Sequence, residues 1–285
     1  MAARTGICAV VSALWIALVT GWTGASRAGE AVEMAPHRAV YDLELKSAEA
    51  RAGLSGASGR MVLEVSGSRC DGWSVSFRIV NDFTLTAGDT RLIDTRSSSW
   101  EAGDGTMMRY SQRQYADSRL ESEVLLTVTR PAVDEPGQGV ITQPEEDSFT
   151  LAPGTLFPVA HQNRLLAAAQ KSESRDDSAV YDGSDGARTY QAISFIGARQ
   201  DPQALPEAVE GSGAEALAEL PSWPVTISYF PHGDVPQGEE TPSHQVIFTM
   251  YSNGVAGNVT LDYGDFALEG TLSAIELLDK PECDL

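Results

Sequence analysis

Four histidines, three cysteines and a scatter of serines and carboxylates are the side chains here that could do chemistry. No serine lies in a G-x-S-x-G elbow, so the commonest serine-hydrolase geometry has no local signature. No H-E-x-x-H pair or closely spaced cysteine pair offers zinc ligands, and there is neither a Walker A loop nor a G-x-G-x-x-G turn. His37, His161, His232 and His244 are dispersed, so a metal cluster would have to be assembled from distant segments, and no spacing predicts one. No cofactor is implied. Missing motifs weigh only lightly against an enzyme, because many active sites carry no linear pattern.

His161 is the best placed of these groups. It lies in "APGTLFPVAHQNRLLAAAQ", Ala152 to Gln170, where a Pro-Gly turn opens into one helical segment. Pro158 suits a first helical turn, where its missing N–H costs nothing. Phe157, His161, Leu165 and Ala168 share one face at helical spacing. A histidine among such neighbours is more often a packed core group than a base. The rival reading makes His161, or an acidic pair, the base of a hydrolase. Asp176 and Asp177 are poor candidates for that pair, since adjacent strand residues face opposite sides. "YDGSDG", Tyr181 to Gly186, lacks the alternate ligands of a calcium loop and reads as a tight turn. "NVT" at Asn258 is a weak glycosylation signal.

The elements that must position His161 are strands. "AVYDLELK" puts Tyr41, Leu43 and Leu45 on one face, "MVLEV" does so with Met61, Leu63 and Val65, and "WSVSFRI" with Trp73, Val75, Phe77 and Ile79. "DTRLIDTRSSSW", "TMMRYSQRQY" and "EVLLTVTR" extend this meander. After the helix come "SAVYDG" with "TYQAISFIGAR", "WPVTISYF" with "HQVIFTMYSNG", and a closing "VTLDYGDFALEGTLSAIELL". Pro131 to Asp147 and Gln200 to Pro221 read as long surface loops, the second with room for a short helical turn. So many strands do not remain in one flat sheet. The expected fold is all-β and mainly antiparallel, a curled or half-open barrel-like sheet with one associated α-helix as plug or lid; a two-sheet sandwich is the competitor.

The chain has 285 residues and a net charge of −20. Arg4, the uncharged run Ile7 to Trp22, and the small residues around Arg27 make residues 1–28 a secretory signal, cleaved after Ala28, leaving 29–285 as a single domain. The run is short for a spanning helix, so no transmembrane anchor is expected after cleavage. Loss of Arg4 and Arg27 leaves 18 basic against 40 acidic residues, a net charge of −22. Such a surface repels nucleic acid and anionic lipid headgroups. Cleavage also removes Cys8, leaving Cys70 and Cys283. An exported chain with two cysteines favours one disulfide, with free thiols or an intermolecular bond as alternatives. Trp73, Phe77, Trp223, Tyr229, Phe230 and Tyr251 either line a cavity or fill a core.

Taken together, "PGTLFPVAHQNRLLAAAQ", "YDGSDGARTY", "WPVTISYF" and "YSNGVAGNVTLDYGDFALEGTLSAIELL" with its late cysteine resemble the EipB family of alphaproteobacterial cell-envelope integrity proteins. The resemblance runs from about Ala35 to Cys283. It implies a periplasmic location, a β-spiral of curved antiparallel sheets with an associated helix, and a disulfide between Cys70 and Cys283. It implies a role in envelope integrity and stress tolerance, a periplasmic tetratricopeptide-repeat partner, and no catalytic residue. The acidic loop from Gln200 to Pro221 matches no family motif. The fold expected is also similar to that of periplasmic lipoprotein carriers, an analogy that does not fix function. The leading expectation is a non-enzymatic protein that binds a protein, lipid or glycan on its concave face. Phe157, His161 and Leu165 would seat the helix over that face, with Trp73, Trp223, Tyr229 and Tyr251 as candidate ligand-surface aromatics. A purely structural interaction module with a filled interior is the remaining alternative.

Overall fold

Period-two alternation produces strands, and the computed structural model, which describes residues 33–206, 208–232 and 241–283, joins fourteen of them in one antiparallel sheet. The residues assigned to the secretory signal lie outside those described. The first eight strands are β1 (His37–Ala48), β2 (Leu54–Ser68), β3 (Gly72–Leu85), β4 (Thr90–Glu101), β5 (Met107–Ala116), β6 (Arg119–Thr129), β7 (Gly137–Gln143) and β8 (Asp147–Leu151). Helix α1 (Pro158–Gln170) follows, then β9 (Arg175–Val180), β10 (Tyr190–Ile196), the short α2 (Ala214–Ala218), β11 (Ser222–Pro231), β12 (His244–Tyr251), β13 (Ala256–Asp262) and β14 (Phe266–Leu277). No described helix is long and apolar enough to cross a membrane.

The topology explains the helix. β1 lies at the centre of the sheet, between β2 and β14, and two meanders run outward from it, one ending at β8 and the other at β9. The two outermost strands are thus consecutive in the chain, and α1 is the passage between them. In a flat sheet those edges would stand about 62 Å apart at about 4.8 Å per strand. The connection, with 13 residues in the helix, reaches only about 55 Å at 1.5 Å per helical and about 3.4 Å per extended residue. The sheet therefore has to curl. At the join, Leu156 N–H donates to Ala179 O (2.8 Å) and Tyr181 N–H donates to Leu156 O (2.9 Å), so the chain leaving β8 pairs in parallel with β9. Phe149 of β8 stacks at a tilt on Tyr181, 5.2 Å between ring centres, across the same join.

The concave face is the core. Tyr41 and Leu43 of β1, Met61 of β2, Ile79 of β3, Ile227 of β11, Phe248 of β12 and Leu272 of β14 converge with Leu165, Leu166, Ala168 and Ala169 of α1. The helix is therefore inside the curl, covered on its apolar side by strands from both meanders. A second cluster, Met108, Leu126, Val128, Ile141, Leu151, Phe157 and Tyr181, seals the join. Two expectations need correction. The segment from Pro131 to Asp147 is not a bare loop: it contains β7, whose inward positions are Gly137, Gly139 and Ile141. A ring takes the place of a side chain at Gly139, where a Cβ would lie 2.1 Å from Phe149 Cζ, so the hydrophobic alternation that marks a strand is missing. The Gln200–Pro221 segment does carry the short helical turn expected there, α2, but it is not wholly a surface loop, since its Leu217 is fully buried in the main core.

Candidate binding cavity

Helix α1 is held by groups far from it in sequence. Its first residue is Pro158 and the preceding Phe157 has no polar side chain, so nothing local caps it. Glu101, the last residue of β4, supplies the acceptor: Val159 N–H donates to its Oε1 (3.1 Å) and Oε2 (3.2 Å). A carboxylate at this end also complements the helix dipole. Glu101 is 2% exposed. That burial pushes its carboxyl up to about 7, against the pull of the Val159 and Ala160 N–H groups. Arg130, just after β6, fixes the approach to the helix. It donates to Gly105 O (2.7 Å) and Thr155 O (2.7 Å), and its guanidinium stacks 4.6 Å above the Phe157 ring.

Between α1 and the curled sheet lies a cavity of about 340 Å³. Its walls are Met61 and Leu63 of β2, Phe77 of β3, Ile227 of β11, Phe248 of β12 and Val259 of β13, among others, and the first turns of α1 close one side. The polar groups on its lining are His37, Tyr41, His161, Gln162, Asp182 and Tyr229. Tyr41 and Gln162 turn their polar atoms to backbone: the Tyr41 hydroxyl donates to Ala256 O (2.8 Å), and Gln162 Nε2 donates to Gly254 O (3.4 Å).

The candidate residues separate into two groups. His161 and Tyr229 line the cavity, as does Phe77. Phe157 lies in the cluster that seals the join, and Leu165 in the main core, so both seat the helix without reaching the space. Trp73, Trp223 and Tyr251 are buried side chains of the core and do not face the cavity. Large aromatics satisfy packing first, and the sequence has no mark that separates a lining ring from a filling one. Glu101, His37, Asp182 and Arg130 escaped the sequence reading. Their partners are remote in the chain, and only His37 sits in an alternating pattern that hints at its inward direction.

The geometry around His161 does not assemble a Ser-His-Asp triad. His161 is 3% exposed, and its Nε2 stands 3.9 Å from Asp176 Oδ2, beyond hydrogen-bond reach. Asp176 is engaged elsewhere, by Arg164 Nε (2.5 Å) and the Ser178 hydroxyl (2.5 Å). The serine is thus on the carboxylate, whereas a triad needs the histidine between the two. Burial lowers His161 to about 4, with Asp176 pulling it up and Arg164 pushing it further down. The ring is neutral at ordinary pH. His37 is 1% exposed and lowered by burial as well. Among the described residues no group of three or more His, Cys, Asp or Glu side chains is placed to hold a metal ion.

The family model for EipB-like proteins matches residues 28–279. The chain belongs to the EipB-like family. The curated relative matched is the cell envelope integrity protein EipB of Brucella abortus (strain 2308), 32% identical over 275 residues, which cover 96% of this chain and 95% of the relative. A crystal structure from Brucella abortus, described as a beta-barrel-like protein of a domain of unknown function, superposes with a TM-score of 0.77 at 30% identity, covering 87% of this chain and all of that one. In this EipB-like chain Cys70 and Cys283 are joined by a disulfide, with Cα atoms 5.8 Å apart. The bridge ties the β2–β3 turn to the tail after β14. Beside it Glu33 forms ion pairs with Arg69 (3.0 Å) and Lys280 (3.0 Å), so three remote segments meet at one end of the EipB-like fold.

Proposed function

We propose that this is an exported, non-enzymatic periplasmic protein that supports cell-envelope integrity by holding an apolar ligand inside its curled sheet. The matched EipB relative supports the role, and that relative together with the N-terminal signal pattern supports the location. The observation that carries the binding reading is the cavity itself. About 340 Å³ walled by aliphatic and aromatic side chains lies within the range of small-molecule sites, about 300–1,000 Å³. A module that acted only through its outer surface would gain by filling that space, since an unfilled interior forfeits packing. Helix α1 is the natural gate, because its first turns form one wall and its anchorage depends on Glu101 and Arg130. A protein partner of the tetratricopeptide-repeat type would dock on the outer face and receive or sense the ligand.

The test is a filled cavity. Val246 of β12 lines the space, and Val246→Trp would occupy it. Wild type is expected to bind N-phenyl-1-naphthylamine saturably, with binding weakened at least tenfold in the variant while circular dichroism stays unchanged. The same variant should fail to replace wild type in a detergent-sensitivity assay of the envelope. Full complementation by a variant that no longer binds the probe would overturn the link between cavity and function.

A further inference from the structure

The charges around the cavity indicate what kind of head its ligand carries. Resting on the reading of this space as a ligand site, we propose that it takes a single-chain amphiphile whose head donates hydrogen bonds and carries no negative charge, an alkyl amine or alcohol, with Asp182 as the group that receives the head.

Four observations converge on this class. First, among the described residues no lysine or arginine lines the cavity, and Asp182 is the one acidic side chain that does. A phosphate or carboxylate head brought against that wall would meet a like charge with no cation on the lining to offset it. Second, Asp182 is held by its own turn: Ser184 N–H and the Ser184 hydroxyl both donate to Oδ1 (2.9 Å each). The carboxylate is thereby oriented, and among the described residues its Oδ2 has no donor. Aromatic groups cluster on the same side: Tyr229 also lines the space and stacks on His244, 4.4 Å between ring centres, with Tyr190 edge-on to both. A carboxylate beside tyrosine faces suits an ammonium group well.

Third, His37 asks for a donor. His37 Nδ1 lies 2.7 Å from Ala35 O. A carbonyl only accepts, so Nδ1 carries the proton and Nε2 presents a lone pair. That Nε2 is buried without a partner. Fourth, the volume is small. About 340 Å³ holds on the order of ten groups of water or methylene size at about 30 Å³ each. One alkyl chain fits such a space.

A matched series separates the possibilities. Decylamine, decanol, decanoate and decyl phosphate share a chain and differ in the head. Each is titrated, below its micelle concentration, against the periplasmically expressed wild type carrying N-phenyl-1-naphthylamine. The amine and the alcohol should displace the probe at concentrations at least tenfold below those for decanoate and decyl phosphate, the amine at the lowest. Asp182→Asn, which keeps the Oδ1 acceptor for Ser184, should remove the advantage of the amine over the alcohol and leave the alcohol unchanged. Displacement by the two anions at equal or lower concentration would overturn the head assignment while leaving the cavity as a site. Failure of the probe and of all four compounds to bind would overturn the cavity reading itself. An amine that binds Val246→Trp as well as wild type is held by the acidic surface, and that result also overturns the assignment.

Discussion

Glu101 and His161 act on acid stability in opposite directions. The Glu101 carboxyl is raised to about 7 in the folded protein. A raised acid favours folding below its unfolded value, and that contribution is lost as pH climbs from about 4.5 to about 7. His161 is lowered to about 4. Its contribution is present above about 6.5 and is lost as pH falls towards about 4. The two windows overlap, so these two contributions offset one another between pH 4 and 7. Glu101→Gln keeps an acceptor for Val159 N–H and removes the titration. Its free energy of unfolding in urea should rise with pH across this range more steeply than that of wild type, by on the order of 2–3 kcal/mol in total. Parallel profiles would show that Glu101 titrates in the ordinary carboxylate range. Arg130 makes a separate case. Arg130→Met keeps much of the volume but strands the carbonyls of Gly105 and Thr155. Equilibrium unfolding in urea should register a loss of about 2–3 kcal/mol; an unchanged midpoint would contradict the anchoring role.

At the scale of elements, α1 and the long strands were legible because each has a local cause. Pro158, the 3–4 spacing of Phe157, His161 and Leu165, and the alternation in β1 to β3 are properties of neighbouring residues. The short strand β7 was not legible, because its inward side chains are largely absent and a ring from β8 fills their place. That substitution of ring for side chain predicts a defect. Gly139→Val would drive the Phe149 ring from its seat and loosen the β7–β8 edge, at a cost of about 1–3 kcal/mol. Amide exchange should quicken at 147–151 before it does in β1 or β14; a uniform change would mean that the edge is not an independent unit. The cavity was the least legible feature. Its polar lining comes from β1, α1, the turn after β9, and β11, so no window of sequence holds more than one part of it.

At the scale of the molecule, a centre-out sheet whose first and last strands pair has its ends in the middle and its edges joined by a helix. The Cys70–Cys283 bridge encloses nearly the whole domain, with 213 residues of separation. In the chain-entropy model so long a loop contributes at most about 5 kcal/mol. Cys70→Ser and Cys283→Ser should therefore lower the thermal midpoint alike and hasten proteolysis, and reduction of wild type should reproduce both; midpoints equal to that of oxidised wild type would remove the bridge from the account. The central claim remains the occupied interior. Native mass spectrometry of the protein purified from a periplasm, followed by organic extraction, tests it most directly. The account predicts a reproducible mass increment from one single-chain, non-anionic amphiphile, absent from Val246→Trp. A clean ligand-free mass, from preparations that also fail to take up added decylamine or decanol, would contradict it.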